Sequence, residues 1–250
     1  MWLTAPRPGV PLQHERCRKR YPGSNACQRA PPPCALLSFL EKTHPRIETI
    51  DAGEQLSCIV DPSVNIVWWP RSLHNDMQRA LPQALEQAGI FKHSAVVDDQ
   101  STINMVTSLF PRGPLRALLA ADAASVVRCY LAALGTHALC INCCWMTTRY
   151  TGMQRALVKL ETVTKTTCSR WHADHVAVRG LVTYVGAGTE FVANQYVDRK
   201  QLLLNLGVQD TGGYALRRGA TVQQARSGDV LLLKGHAYEG FDGTCVRTMS

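Results

Sequence analysis

The sequence predicts an α+β protein, with a helical N-terminal half and a β-rich C-terminal half that reads as a sandwich or partial barrel. Three observations carry this. Leu73, Met77, Leu81 and Leu85 recur every four residues, which places them on one face of a helix. An apolar stretch from Leu115 to Leu134 is bracketed by Pro114 and Gly135, a proline at a helix start and a glycine at its end. From Val158 onward the apolar period falls to two, and short runs are separated by glycine turns.

The elements follow in chain order. Prolines at 6, 8, 11, 22 and 31–33 keep the first 45 residues irregular. Val64 to Trp69 reads as a strand stopped by Pro70. The first helix contains Pro82, which either starts or kinks it, and Gly89 is its stop. Strands are expected at Val158–Thr164, Val176–Val185, Thr189–Ala193, Thr221–Ala225 and Val230–Lys234. The organisation is therefore a disordered basic head over residues 1–57 and a single α+β domain over 58–250, whose β-rich core spans 156–250.

Composition excludes several classes. Hydrophobic residues make up 46% of the 250 residues and charged residues 18%, enough apolar side chain for one sizeable core and too much for a disordered or fibrous chain. The net charge is +8, but residues 1–45 hold seven Lys/Arg against two acids, and the rest holds 20 against 17. The body is nearly neutral, so no specific nucleic-acid partner is expected. The longest uncharged run, Cys129–Met146, is interrupted by Gly135, Thr136, His137 and Asn142, so no membrane span is expected. No secretory leader is expected, because no charged stub followed by an apolar core and a small-residue cleavage site opens the sequence. Its ten cysteines then read as thiols of a reducing compartment, and the location as cytoplasmic, with mitochondrial import of the basic head as the alternative.

The segment Trp171-His172-Ala173-Asp174-His175 carries the chemistry. On an extended strand His172 and Asp174 point the same way and His175 points away. An imidazole and a carboxylate so placed are two corners of the facial triad that holds non-haem Fe(II) and leaves positions open. Zn(II) suits the same donors. Arg179, five residues beyond Asp174, can face the same cavity and hold an anionic cofactor. His236 is the candidate for the third metal ligand.

Other readings of these residues compete. Cys168, His172 and His175 would share a face if the segment were helical, and could hold zinc. Cys168 beside His172 could be a thiol with its base, and Cys140-x-x-Cys143 a redox or metal pair, although apolar neighbours favour core cysteines. Trp68, Trp69 and Trp171 suit either a core or a stacking platform, and Asp229 suits its own turn.

The order His-x-Asp, then Gly186-Ala187-Gly188-Thr189-Glu190-Phe191, then Gly228-Asp229 opening the apolar strand Val230–Leu233, resembles the double-stranded β-helix core of 2-oxoglutarate dioxygenases. The resemblance is closer still to the bacterial and protist family known as domain of unknown function 1826. It rests on Val64–Trp68, Val158–Glu161, Cys168 with Trp171–Asp174, Arg179, Thr183–Glu190, Gly228–Val230 and Leu233–Gly235, and spans roughly residues 60–245. The dioxygenase resemblance implies a C-terminal double-stranded β-helix-like partial barrel binding Fe(II), with 2-oxoglutarate as cosubstrate and a small molecule or protein as substrate, whereas the family resemblance brings no established activity and suggests metal handling, with Zn(II), as readily. The family pattern continues with a His-Arg-Ser-Pro-like segment and an Arg-bearing strand, where this chain reads Gly243 to Ser250. The resemblance therefore implies an incomplete site, in which His236 substitutes for the later His. The alternatives it leaves are a non-catalytic zinc-binding protein of metal homeostasis and a degenerate or truncated member without activity.

Overall fold

The computed structural model describes residues 1–4, 45–135, 155–163, 170–204, 215–238 and 243–248. The strands are β1 (Trp2–Thr4), β2 (Arg46–Thr49), β3 (Val64–Trp69), β4 (Lys92–Asp98), β5 (Arg155–Glu161), β6 (Val178–Val182), β7 (Thr189–Val192), β8 (Val222–Gln224), β9 (Val230–Lys234) and β10 (Val246–Thr248). The helices are α1 (Asn75–Ala88), α2 (Thr102–Leu109), α3 (Pro114–Gly135) and α4 (Arg199–Leu204), with a 3₁₀ segment at Gly53–Val60. A seven-stranded sheet runs β2-β3-β9-β6-β1-β5-β4, and a three-stranded sheet runs β10-β7-β8. No closed barrel forms among them.

The molecule is layered. Val67, Leu232, Val158 and Val182 of the large sheet pack against Leu81, Val126, Val127 and Tyr130 of the helices. The opposite face, with Ile66, Leu231 and Leu233, packs against Phe191 and Val246 of the small sheet. This explains why β9 is buried at every position: both of its faces are covered, so alternation is lost. From β5 onward the chain passes between the sheets. β5, β6 and β9 join the large sheet, whereas β7, β8 and β10 form the small one. A bridge between His172 and Val246 attaches the segment before β6 to β10.

The expected helices are present. α1 runs through Pro82 without ending there. His74 Nδ1 accepts from the Asp76 N–H at 3.4 Å, and Gly89 at φ 66° stops the helix by donating to the Leu85 carbonyl at 3.0 Å. α3 is the one described helix long and apolar enough to cross a bilayer. Here it is a core helix, with Ala123, Ala124, Val127 and Tyr130 buried.

Two stretches of the head, expected to be irregular, join the sheet. β1 lies between β5 and β6 and is antiparallel to both. β2 pairs parallel with β3. The entry of β1 depends on Gly180, where a Cβ would come within 3.1 Å of Leu3 and Tyr130. β4 and α2 were also not expected. β4 reads Lys-His-Ser-Ala-Val-Val-Asp, with too few apolar residues to show a period. The cysteines at 17, 27, 34, 140, 143, 144 and 168 lie outside the described residues.

Asp229 ties β3 to β9. Its buried carboxylate accepts from Trp68 Nε1 at 3.0 Å, the Arg71 N–H at 3.0 Å and the Arg226 N–H at 2.9 Å. Its role is the turn, one of the readings the sequence offers. Asp229→Ala strands three donors, so urea unfolding is expected to show a loss of about 3 kcal/mol or more. Asp229→Asn keeps one acceptor and is expected to lose less.

Lys234 is buried on the helix side of β9, where Nζ donates to the Asp61 carbonyl at 2.6 Å and lies 4.5 Å from the Tyr238 ring centre. Burial pulls its pKa down from 10.5 to about 8, against the opposing pull of Asp61. Between these values the unfolded chain holds more protons than the folded one, so stability contributed at this site rises as pH increases from 8 to 10.5. Below pH 8 the cost of burying the charge is present in full. Lys234→Met is expected to flatten the pH dependence of unfolding in this window by on the order of 1–3 kcal/mol.

Candidate functional site

The space between the two sheets at the His172–Val246 bridge holds three of the residues singled out in the sequence. His172 and Asp174 lie on the segment leading into β6, and Arg179 lies on β6 beside them. Along β6, Val178, Gly180 and Val182 alternate with Arg179 and Leu181. The former pack under the helices, so Arg179 and Leu181 face the small sheet. His172 and Asp174 approach each other here, although the segment is not the continuous strand expected: it holds one isolated bridge at His172 and bends at 175–177 before β6.

Their geometry is specific. His172 Nδ1 lies 2.9 Å from the Arg170 carbonyl. A carbonyl can only accept, so Nδ1 is the donor there, and Nε2 is the ring nitrogen turned toward Asp174. Nε2 lies 3.6 Å from Asp174 Oδ1. The same oxygen takes the guanidinium of Arg179 at 2.8 Å. The Asp174 side chain is 7% exposed and that of Arg179 16%, so this ion pair is largely withdrawn from water.

His236 is placed differently. Its backbone N–H donates to the Asp174 carbonyl at 2.8 Å. Its ring, however, stacks on His175 at 5.6 Å. Among the described residues no group of three His, Cys, Asp or Glu side chains is assembled to hold a metal. Arg247, near the position where the later His was expected, lies over the Trp171 ring at 4.7 Å and pairs with Glu190. Trp171 is thus a buried wall of the small-sheet side and not an exposed platform.

A cavity of about 240 Å³ joins this polar cluster to the helical layer. His172, Asp174, Arg179 and Thr189 line one end, and Phe91, Phe110, Leu115 and Leu119 line the other. It passes Met1, Leu160 and Val182, at the end of β1 where that strand stops separating β5 from β6. Tyr184 borders the cavity, and its hydroxyl donates to Asp122 Oδ2 at 2.7 Å. Burial, with Asp122 next to it, holds this phenol well above its ordinary pKa, so it is a proton donor and not a base. The apolar end was invisible to the sequence reading, because it is built from the loop after α1, the loop after α2 and the first turns of α3, more than fifty residues from His172.

Removing Arg179 leaves Asp174 buried with its charge uncompensated. Arg179→Met is expected to cost about 3 kcal/mol in chemical denaturation. Adding Asp174→Asn is expected to recover much of that loss, and the double-mutant cycle measures the pair's coupling.

Residues 51–247 match the model of a family described as "Protein of unknown function (DUF1826)". No curated protein and no solved structure matches the chain.

Proposed function

The chain belongs to the DUF1826 family, and from that premise and the geometry between its sheets we propose that it binds a divalent metal ion, Fe(II) or Zn(II), through His172 and Asp174. The observation that carries this reading is the anchoring of His172 Nδ1 on the Arg170 carbonyl, which turns Nε2 toward a buried carboxylate oxygen 3.6 Å away. Two donors each about 2.1 Å from one ion lie about 3.4 Å apart in a tetrahedral site and about 3.0 Å apart at a right angle. The two side chains therefore fit a shared ion after a shift of a few tenths of an ångström. The backbone carbonyl behind His172 is the outer-shell support that metal-binding imidazoles use.

A bound ion of this kind supplies Lewis acidity and, as Fe(II), redox chemistry with dioxygen. The chain's own residues supply the rest. Arg179 balances the Asp174 charge and adds the cationic surface an anionic cosubstrate such as 2-oxoglutarate requires, sharing the guanidinium with Asp174. The apolar end of the cavity excludes water and favours a substrate with a hydrocarbon or aromatic arm. The passage of β5 to β10 between two sheets, with the His172 segment bridged to β10, supports a double-stranded β-helix-like core for this site.

A second reading is a zinc-binding protein without turnover. It is favoured by a donor separation nearer the tetrahedral value than the right-angled one. Anaerobic titration with Fe(II) and Zn(II), read by calorimetry and metal analysis, tests both. One ion per chain is expected. His172→Ala and Asp174→Ala are expected to weaken binding by more than the about 10- to 100-fold typical of outer-shell changes. Failure of both ions to bind, or unchanged binding by the variants, overturns the proposal. Oxygen uptake dependent on 2-oxoglutarate assigns the oxygenase reading, and tight Zn(II) without uptake assigns the second.

A further inference from the structure

We propose that the cavity between the sheets takes an uncharged, single-armed amphiphile, with its hydrogen-bonding head beside Thr189 and His172 and its hydrocarbon or aromatic arm against Phe110 and Leu119. The volume of about 240 Å³ is below the roughly 300 Å³ at which drug-sized pockets begin, so the molecule is small. One end of the space is polar and the other apolar, which fixes the way round it lies. As a ligand this molecule is recognised by the cavity's own residues. As a substrate it rests on the metal reading.

Thr189 supplies a partner for the head. Phe191, two residues further along β7, packs against Ile66, Leu231 and Leu233 of the large sheet, so Thr189 also faces the space between the sheets. It lines the cavity and is 7% exposed. Its backbone carbonyl accepts from the Ala225 N–H at 3.0 Å, but its hydroxyl makes no hydrogen bond among the described residues. A buried hydroxyl without a partner is costly, and a ligand group that meets it recovers the cost. A hydroxyl both donates and accepts, so an alcohol, a carbonyl or an amide fits this place.

The head is uncharged because the ionised groups around the cavity already balance. Asp174 pairs with Arg179 at 2.8 Å, and Glu161 with Lys92 at 3.0 Å. The Met1 amino group donates to the Val182 carbonyl at 2.8 Å, and burial pulls its pKa from 8.0 down to about 5, against the opposing pull of Glu161. Tyr184 keeps its proton and donates it to Asp122. With a neutral imidazole at His172 these groups sum to zero. A carboxylate or ammonium head would leave one charge uncompensated beside buried side chains, which costs far more than burying a hydrogen-bonded hydroxyl.

Calorimetry at about pH 8 on the full chain, stripped of metal by a chelator, tests this with octanol, octanoate and octylammonium. One octanol per chain is expected, with both ions binding at least about tenfold more weakly. Thr189→Val removes the hydroxyl and keeps the side-chain shape. It is expected to weaken octanol binding about two- to tenfold while leaving stability to urea equal or higher. A merely structural Thr189 gives the opposite, a less stable protein with unchanged octanol binding. Absence of octanol binding, either ion binding as tightly as octanol, or unchanged binding by Thr189→Val overturns the proposal. If Thr189→Val does not fold, the comparison of the three ligands on the wild type decides alone. All of these measurements use metal-free protein, so their outcome is separate from that of the metal titration.

Discussion

The buried carboxylate of Asp229 is the constraint on which the arrangement rests. It sits at the start of β9 and accepts from both the Trp68 indole and the Arg71 backbone, which fixes where β3 ends relative to β9. Arg71 then carries the connection out of the sheet. Its guanidinium donates to the Gly228 carbonyl at 2.8 Å and to both oxygens of Asp122 on α3, at 2.9 and 3.2 Å. Tyr184, following β6, donates to the same Asp122. One continuous polar chain thus holds the turn before β9, the exit from β3, the core helix and the loop after β6. Charge-assisted, largely buried bonds of this kind tolerate little displacement.

That rigidity matters because the cavity lies on both sides of this chain of contacts. Tyr184 borders it, and α3 supplies Leu115 and Leu119 to its apolar end. The polar end is held by different means, the bridge of His172 to Val246 and the ion pair of Asp174 with Arg179. The binding residues are therefore set by the two sheets, and the volume available beside them is set by the helices.

The sequence made some of this legible and hid the rest, for identifiable reasons. β3, α1, α3 and β9 were readable because each announces itself locally: a proline stop, a four-residue spacing, a proline and glycine bracket, a glycine-aspartate turn. His172 and Asp174 were readable as a pair because two residues apart on an extended chain is a geometric statement. Arg179 was readable as a neighbour of that site. Its engagement with Asp174 was not, because it depends on how the segment from 170 to 177 curves into β6. His236 sits close along the backbone yet turns its ring to His175, a choice that sequence spacing cannot encode. β1, β2 and β4 were missed because short or polar strands take their stability from the partner already in the sheet.

β1 also imposes an order of events on the molecule. Leu3 is fully buried between β5 and β6, which lie more than 150 residues later in the chain. During synthesis β1 is made long before its partners. Until it arrives, β5 and β6 each present an open edge at the centre of the sheet and not at its margin. Long-range closure of this kind is slow, because a large loop must be ordered before any contact rewards it. The centre of the sheet, which waits for strands more than 150 residues apart, is then a stretch where a nascent chain is exposed to pairing with the wrong neighbour.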